Sequence, residues 1–105
     1  MALRWTDKDP DEQLDFSVDW SRYLGGDTID SVVWKIKNSD GSLNTWVDAE
    51  VVQGLQRISA SNNTTVATIE MGLGTAGKDY SINCVITTAA GLTVSREIRL
   101  KVRQQ

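Results

Sequence analysis

Alternation of apolar and polar residues with a period of two constrains the fold of this chain more than any other feature of its sequence. It is clearest in residues 14–20, "LDFSVDW", where every second side chain is apolar. The apolar positions are Leu14, Phe16, Val18 and Trp20, and the positions between them are Asp15, Ser17 and Asp19. Successive side chains of a β-strand point to opposite faces, so this segment is typical of a strand that buries one face only.

The same period recurs along the chain and predicts about seven strands. We place them at residues 14–20, 29–37, 47–51, 55–60, 65–73, 80–86 and 92–102. A single helical turn is expected over residues 21–24, and the Asp-Gly signal in "NSDGS", residues 38–42, predicts a tight turn. In the third strand the pattern is interpreted with Val47, Ala49 and Val51 inward, which leaves Trp46, Asp48 and Glu50 outward.

Short strands separated by turn signals, with no helix of useful length, indicate a two-layer antiparallel β-sandwich of immunoglobulin type. Trp34 is expected to lie in the core, and Tyr80 at the start of the sixth strand suits a tyrosine corner. The paired cysteines of antibody domains are missing, since Cys84 is the only cysteine. We therefore predict an all-β, Ig-like sandwich over residues 12–105, preceded by a loose N-terminal arm, residues 1–11.

Composition limits the possible partners of the chain. Its 105 residues suit one domain, and a net charge of -3 argues against nucleic acid as the main partner. No apolar run approaches the roughly 20 residues of a membrane helix, and the first residues lack a signal-peptide core. One cysteine cannot form an internal disulfide, so we expect a soluble protein that folds in a reducing compartment without contact to a membrane.

The chemistry needed for catalysis is missing from the sequence. The chain has no histidine, which removes catalytic triads and the usual acid–base group of near-neutral enzymes. Cys84 falls on the inward face of a predicted strand, where it suits a small core residue better than a nucleophile. "GLGTAG", residues 72–77, precedes a strand instead of opening a helix, so it is interpreted as a hairpin-type loop, not a phosphate site. We predict neither an enzyme nor a cofactor.

The acidic segment before the first strand invites a metal-binding hypothesis. Asp7, Asp9 and Asp11 have the spacing of the first three ligand positions of a calcium loop, positions one, three and five. Glu12 occupies the position that requires glycine, and Val18 the position that requires a bidentate glutamate. We therefore expect no metal, and interpret these carboxylates as part of a solvated or partner-facing arm.

Charged stripes and tryptophans supply the candidate contact residues. The outward side of the first strand with its arm is acidic, whereas the outward side of the last strand is basic. Two interpretations stay open: a match inside one molecule, or complementary edges of neighbouring copies in a ring. Trp46 is a second kind of candidate, because exposed tryptophans are enriched at interfaces, although a register error of one residue would bury it. The candidate contact residues are Trp5, Asp9, Asp11, Asp15, Asp19, Trp46, Arg99, Lys101 and Arg103.

Three segments resemble the fibre–tail adaptor proteins of tailed bacteriophages. "KDPDEQLDFSVDW" followed by "GGDTIDSVVW" is similar to the start of that family, and "TAGKDYSINCVITTAAGLTVSREIRLKV" to its two closing strands. The resemblance covers nearly the whole chain, more weakly over residues 38–64. It implies an Ig-like virion protein that attaches a fibre or spike to the tail tube or its adaptor ring in several symmetric copies.

The resemblance therefore predicts a structural protein of the phage tail, made in the cytoplasm of the host bacterium, with tail proteins and its own copies as partners. Two alternatives remain. One is an Ig-like decoration module on the capsid or tail. The other is a carbohydrate-binding module, in which Trp46 and Trp5 would serve as stacking platforms.

Overall fold

A computed structural model of the chain describes residues 3–4, 8–9 and 12–103 and confirms the all-β sandwich. Seven of its strands are three or more residues long, as many as the alternation predicts, and two further strands have two residues each. One helical turn, α1, follows the second strand at Ser21–Leu24, as expected, and ends at Gly25 in the left-handed conformation. The strands are β1 Leu3–Arg4, β2 Leu14–Asp19, β3 Ile29–Lys37, β4 Leu43–Thr45, β5 Val51–Val52, β6 Leu55–Asn62, β7 Val66–Leu73, β8 Asp79–Thr88 and β9 Thr93–Lys101.

The strands form two sheets. One has five strands in the order β1-β9-β8-β3-β4, and the other has four in the order β2-β7-β6-β5. The pairing is antiparallel except between β1 and β9, which run parallel. The long strands divide between the layers as in immunoglobulin-type sandwiches, with the last two strands and β3 in one layer.

The inward side chains of both sheets form one apolar core. Trp34 on β3 lies directly opposite Cys84 on β8, and both are almost completely buried. This confirms Trp34 as a core residue and Cys84 as a small buried one. Arg96 is the exception on the inward row of β9. Its guanidinium lies 5.2 Å from the centre of the Trp20 ring, which gives this half-buried cation an aromatic contact at the edge of the core.

Tyr80 makes the hydrogen bonds expected of a tyrosine corner. Its hydroxyl donates to the carbonyl of Gln53 at 2.7 Å and accepts from the amide of Thr75 at 3.0 Å. Gln53 belongs to the turn between β5 and β6, and Thr75 to the connection between β7 and β8. One buried side chain thus links two loops to the start of β8.

The connection after β7 differs from the expected hairpin-type loop. It joins strands of different sheets, because β7 belongs to the four-stranded layer and β8 to the five-stranded one. Gly74 within it has φ of 110°, and a Cβ there would lie 2.9 Å from a methyl carbon of Val102. Both its backbone conformation and the close approach to Val102 therefore require glycine.

The predicted strand at residues 47–51 is wrong. Residues 46–50 form a tight loop between β4 and β5, in which Ala49 has φ of 68° and the amide of Glu50 donates to the carbonyl of Val47. Trp46 is 1% exposed, whereas Val47 and Val51 are about half exposed. The predicted orientation is therefore wrong for Trp46, Val47, Ala49 and Val51, whereas Asp48 is exposed as expected. Leu73 at the end of β7 and Leu92 just before β9 are also exposed, although the alternation in residues 65–73 and 92–102 assigns both to the inward rows.

The described residues of the N-terminal segment contact β9 and the residues that follow it. Leu3 and Arg4 pair with Ile98 and Arg99, and Lys8 forms a bridge with Val102. The Lys8 side chain is fully buried, and its ammonium donates to the carbonyls of Leu73 at 2.6 Å and Asp9 at 2.8 Å. A charge is buried in proteins only with such partners, so this lysine fastens the segment to the end of β7.

Candidate protein-contact faces

The outer side of the four-stranded sheet carries acidic and hydroxyl side chains, and we call it the acidic face. Asp15 on β2 lies directly opposite Glu70 on β7, and Asp19 stands at the end of β2. No lysine or arginine occurs in either strand. Cross-strand neighbours on one face lie close enough to interact, so this side presents a surplus of negative charge, with Arg22 on α1 close enough to lower the pKa of Asp19.

Hydrogen bonds within the acidic face are made by hydroxyls, not by cations. The hydroxyls of Ser17 and Thr68 are 3.0 Å apart, and the hydroxyl of Ser59 donates to Glu70 at 3.2 Å. The amide of Ser21 donates to Asp19 at 2.9 Å, and this bond, with the Ser21 hydroxyl, holds the pKa of Asp19 below its usual value. The Asp19 carboxylate is thereby kept charged, because both contacts favour the ionised form.

The outer side of the five-stranded sheet carries the opposite sign, and we call it the basic face. It displays four cationic side chains together with the carboxylates of Glu97 and Asp79. The cations are Lys35 and Lys37 on β3, and Arg99 and Lys101 on β9. Ser81 lies opposite Arg99, and Lys101 lies opposite Asp79. The basic face is therefore mixed, with a surplus of positive charge.

Glu97 compensates only part of that charge. The hydroxyl of Ser81 donates to it at 2.6 Å and lowers its pKa, helped by the positive charges of Arg99 and Lys37. The guanidinium of Arg99 is 4.0 Å from Glu97, and its side chain is still 60% exposed. A shallow cavity of about 220 Å³ opens beside Lys37, Ser81 and Arg99. The cations at this end of the sheet are thus available to an outside carboxylate.

The two faces lie on opposite outer sides of the sandwich. Asp15 and Asp19 point away from the core on one layer, and Arg99 and Lys101 point away from it on the other. Packed sheets stand about 10 Å apart with a filled core between them, so these charges cannot meet within one molecule. Of the two interpretations left open by the sequence, the geometry therefore removes the internal match for these four residues.

The remaining predicted contact residues are not among the described members of the acidic or basic face. Trp5 and Asp11 lie outside the described residues. Asp9 is half-buried, and its amide donates to the carboxylate of Glu12 at 3.0 Å. Arg103 is exposed and its amide donates to the carbonyl of Lys8.

The prediction that Trp46 faces outward is wrong. Its indole donates to the carbonyl of Glu50, and Arg57 closes the loop by bonding the Trp46 carbonyl and the Asp48 carboxylate.

Sites for chemistry are not evident in the described part of the chain. Residues 3–4, 8–9 and 12–103 contain no group of three or more residues suited to hold a metal ion. Cys84 is buried, and desolvation raises the pKa of its thiol to about 12. Within the same ranges no helix is long and apolar enough to cross a membrane.

Glu70, Lys35 and Lys37 are among the members of the two faces that the sequence did not indicate as contact candidates. All three occupy outward positions of alternating strands, so their exposure could be predicted. Their grouping could not, because it depends on which strands are neighbours: β7 lies beside β2, and β3 lies two strands from β9.

A family model described as "Podophage GP4 fiber-tail adaptor protein gp77" matches residues 8–101, which is most of the chain. None of the curated proteins compared with the chain matches it.

Proposed function

Because this chain belongs to the podophage GP4 fiber-tail adaptor family, we propose that it attaches tail fibres or spikes to the tail tube or its adaptor ring. Its role as a structural tail adaptor, and hence its place in the tail of the virion, follow from that family. The finer parts of the proposal are that it acts in several copies that touch one another, and that it is made in the cytoplasm of the host bacterium.

The single observation that carries this proposal is the family match over residues 8–101. The arrangement of the sandwich supports it, because an adaptor must hold different neighbours at the same time. Two outer faces of opposite charge, on opposite sides of one rigid domain, provide separate surfaces for that purpose.

Absence of catalysis is part of the proposal. The family is structural, and Cys84, the one cysteine of the sequence, is buried with a raised pKa of about 12. A thiol reacts through its thiolate, so such a cysteine is inert at neutral pH.

The carbohydrate-binding alternative loses one of its two platforms, since Trp46 is 1% exposed and its indole is already hydrogen-bonded. A sugar-stacking tryptophan has to present an open ring face. The decoration alternative makes a different prediction for the particle, and the following experiment separates it from the adaptor.

A phage with a stop codon early in this gene should be grown in a host that does not suppress it. We expect particles with complete tail tubes but without fibres, which do not adsorb, and recovery when the wild-type gene is supplied in trans. Normal fibres on particles that contain none of this protein would refute the adaptor role. Normal fibres on particles of lowered stability would favour decoration instead.

A further inference from the structure

We propose that neighbouring copies of this protein bind face to face, the acidic face of one copy against the basic face of the next. The inference rests on the proposed function, because it needs several copies around one tail. In this contact the carboxylates of one copy lie between the cations of the next.

The charge distribution carries the argument. Asp15, Asp19 and Glu70 stand on two strands without any lysine or arginine. Opposite them, on the far side of the same domain, Lys37 and Arg99 flank Ser81 and are accompanied by Lys35 and Lys101. A second copy is therefore a complementary partner for either face, and both complementary surfaces are present on every copy.

The available area fits a stable contact. The molecule measures 40 × 27 × 26 Å along its principal axes. A broad side of those dimensions offers at most roughly 1,000 Å², which leaves room for the ~800 Å² that each partner buries in a standard interface. The hydroxyls of Ser17, Thr68 and Ser59 on the acidic face add polar groups that can pair across such a contact.

The symmetry of the contact also suits an adaptor. The two faces differ, so a face-to-face contact between them is heterologous, and repetition of a heterologous contact produces a closed ring or an open filament. A ring of this kind leaves the loops at both ends of each sandwich free for the tail on one side and the fibre on the other.

Charge reversal on either face tests the proposal in assembled particles. One variant, Arg99→Glu with Lys101→Glu, makes both faces negative. A second variant, Asp15→Lys with Asp19→Lys, makes both faces positive. Each is supplied in trans to phage that lacks the gene, alone or together with the other, and the copies per purified virion are counted by quantitative mass spectrometry.

We expect each variant alone to be incorporated about tenfold less than the wild type, because like charges then meet at every contact. The two variants supplied together should restore incorporation, since negative and positive copies can alternate. The control is Lys78→Glu, which reverses one positive charge in the loop before β8, outside the strands that form either face.

Normal incorporation of either variant alone overturns the proposal. So does loss that the mixture does not restore, because the faces then dock on a different tail protein. Failure of the proposed function has a different signature: the wild-type protein would itself be missing from virions, or fibres would attach without it.

Discussion

The indole nitrogen of Trp46 donates a hydrogen bond to the carbonyl of Glu50 at 3.0 Å, inside a loop of the same chain. The ring is 1% exposed, and its neighbour Val47 is 56% exposed. The tryptophan that alternation assigns to the surface is thus the anchor of the β4–β5 loop, and the adjoining valine faces solvent.

Trp46→Ala should consequently destabilise the domain strongly. Removal of a buried large aromatic side chain costs about 3–5 kcal/mol of the free energy of unfolding. Val47→Ala is the matched control and should change that energy by less than about 0.5 kcal/mol, as exposed substitutions usually do. Urea denaturation followed by tryptophan fluorescence measures both. Equal effects of the two changes would contradict the burial of Trp46.

Tyr80→Phe should lower stability by removing one hydroxyl that serves two loops. The amide of Thr75 loses its acceptor, and the carbonyl of Gln53 keeps the hydroxyl of Thr75 as a donor at 3.5 Å. The expected cost is about 1–3 kcal/mol, the usual range for a buried polar group left unpaired. Tyr23→Phe provides the control, since Tyr23 is 44% exposed and its hydroxyl can be replaced by water. Chemical denaturation of the two variants should separate them, and identical midpoints would argue against a tyrosine corner.

Lys8→Met should release the N-terminal segment from β9 without unfolding the sandwich. The substitution keeps an unbranched side chain that is one atom shorter, and it removes the ammonium that donates to the carbonyls of Leu73 and Asp9. The Arg103 amide, which donates to the Lys8 carbonyl, should then exchange its hydrogen at least about tenfold faster, since local opening exposes it. The Cys84 amide at the centre of β8 should keep its protection. Unchanged exchange at Arg103 would mean that Lys8 does not fasten the segment.

Cys84 should resist modification in the folded protein. Burial raises the pKa of its thiol to about 12, whereas the ordinary value is 9.0. The folded state therefore favours the protonated thiol. The stability that the buried, protonated thiol contributes is fully present below pH 9. It is lost as the pH rises from 9 through the pKa of the folded state, about 12. A thiol reagent at pH 8 should label the protein only after denaturant is added. Rapid labelling under native conditions would show that the β8 core opens readily.

Features that depend on one strand alone can be predicted from the sequence, whereas features that depend on contacts between strands cannot. The inward rows of β2 and β8 follow directly from alternation, because a strand with one buried face leaves that period in its residues. Over residues 46–51 the same period permits two registers, with either Trp46 or Val47 inside. The left-handed backbone of Ala49, which decides between them, is rare for a residue other than glycine and has no sequence signal here.

The charged faces could be predicted only in part from the sequence. Exposure of Asp15 and of Arg99 is predictable strand by strand, but their placement on opposite sides of the domain depends on sheet order. That order is fixed by contacts between residues far apart in the chain. Pairing of Leu3 and Arg4 with β9 is likewise a long-range contact. The acidic composition of residues 7–12 gives no indication of it, because it is typical of a solvated segment.

Electron cryomicroscopy of the intact virion tests the adaptor role. We expect several symmetric copies of a two-layer β-sandwich between the tail tube or its adaptor ring and the fibres. In each copy the side of β2 and β7 should face the β3–β8–β9 side of its neighbour. Density for this sandwich on the capsid, or fibres joined to the tube with no such domain between them, would contradict it.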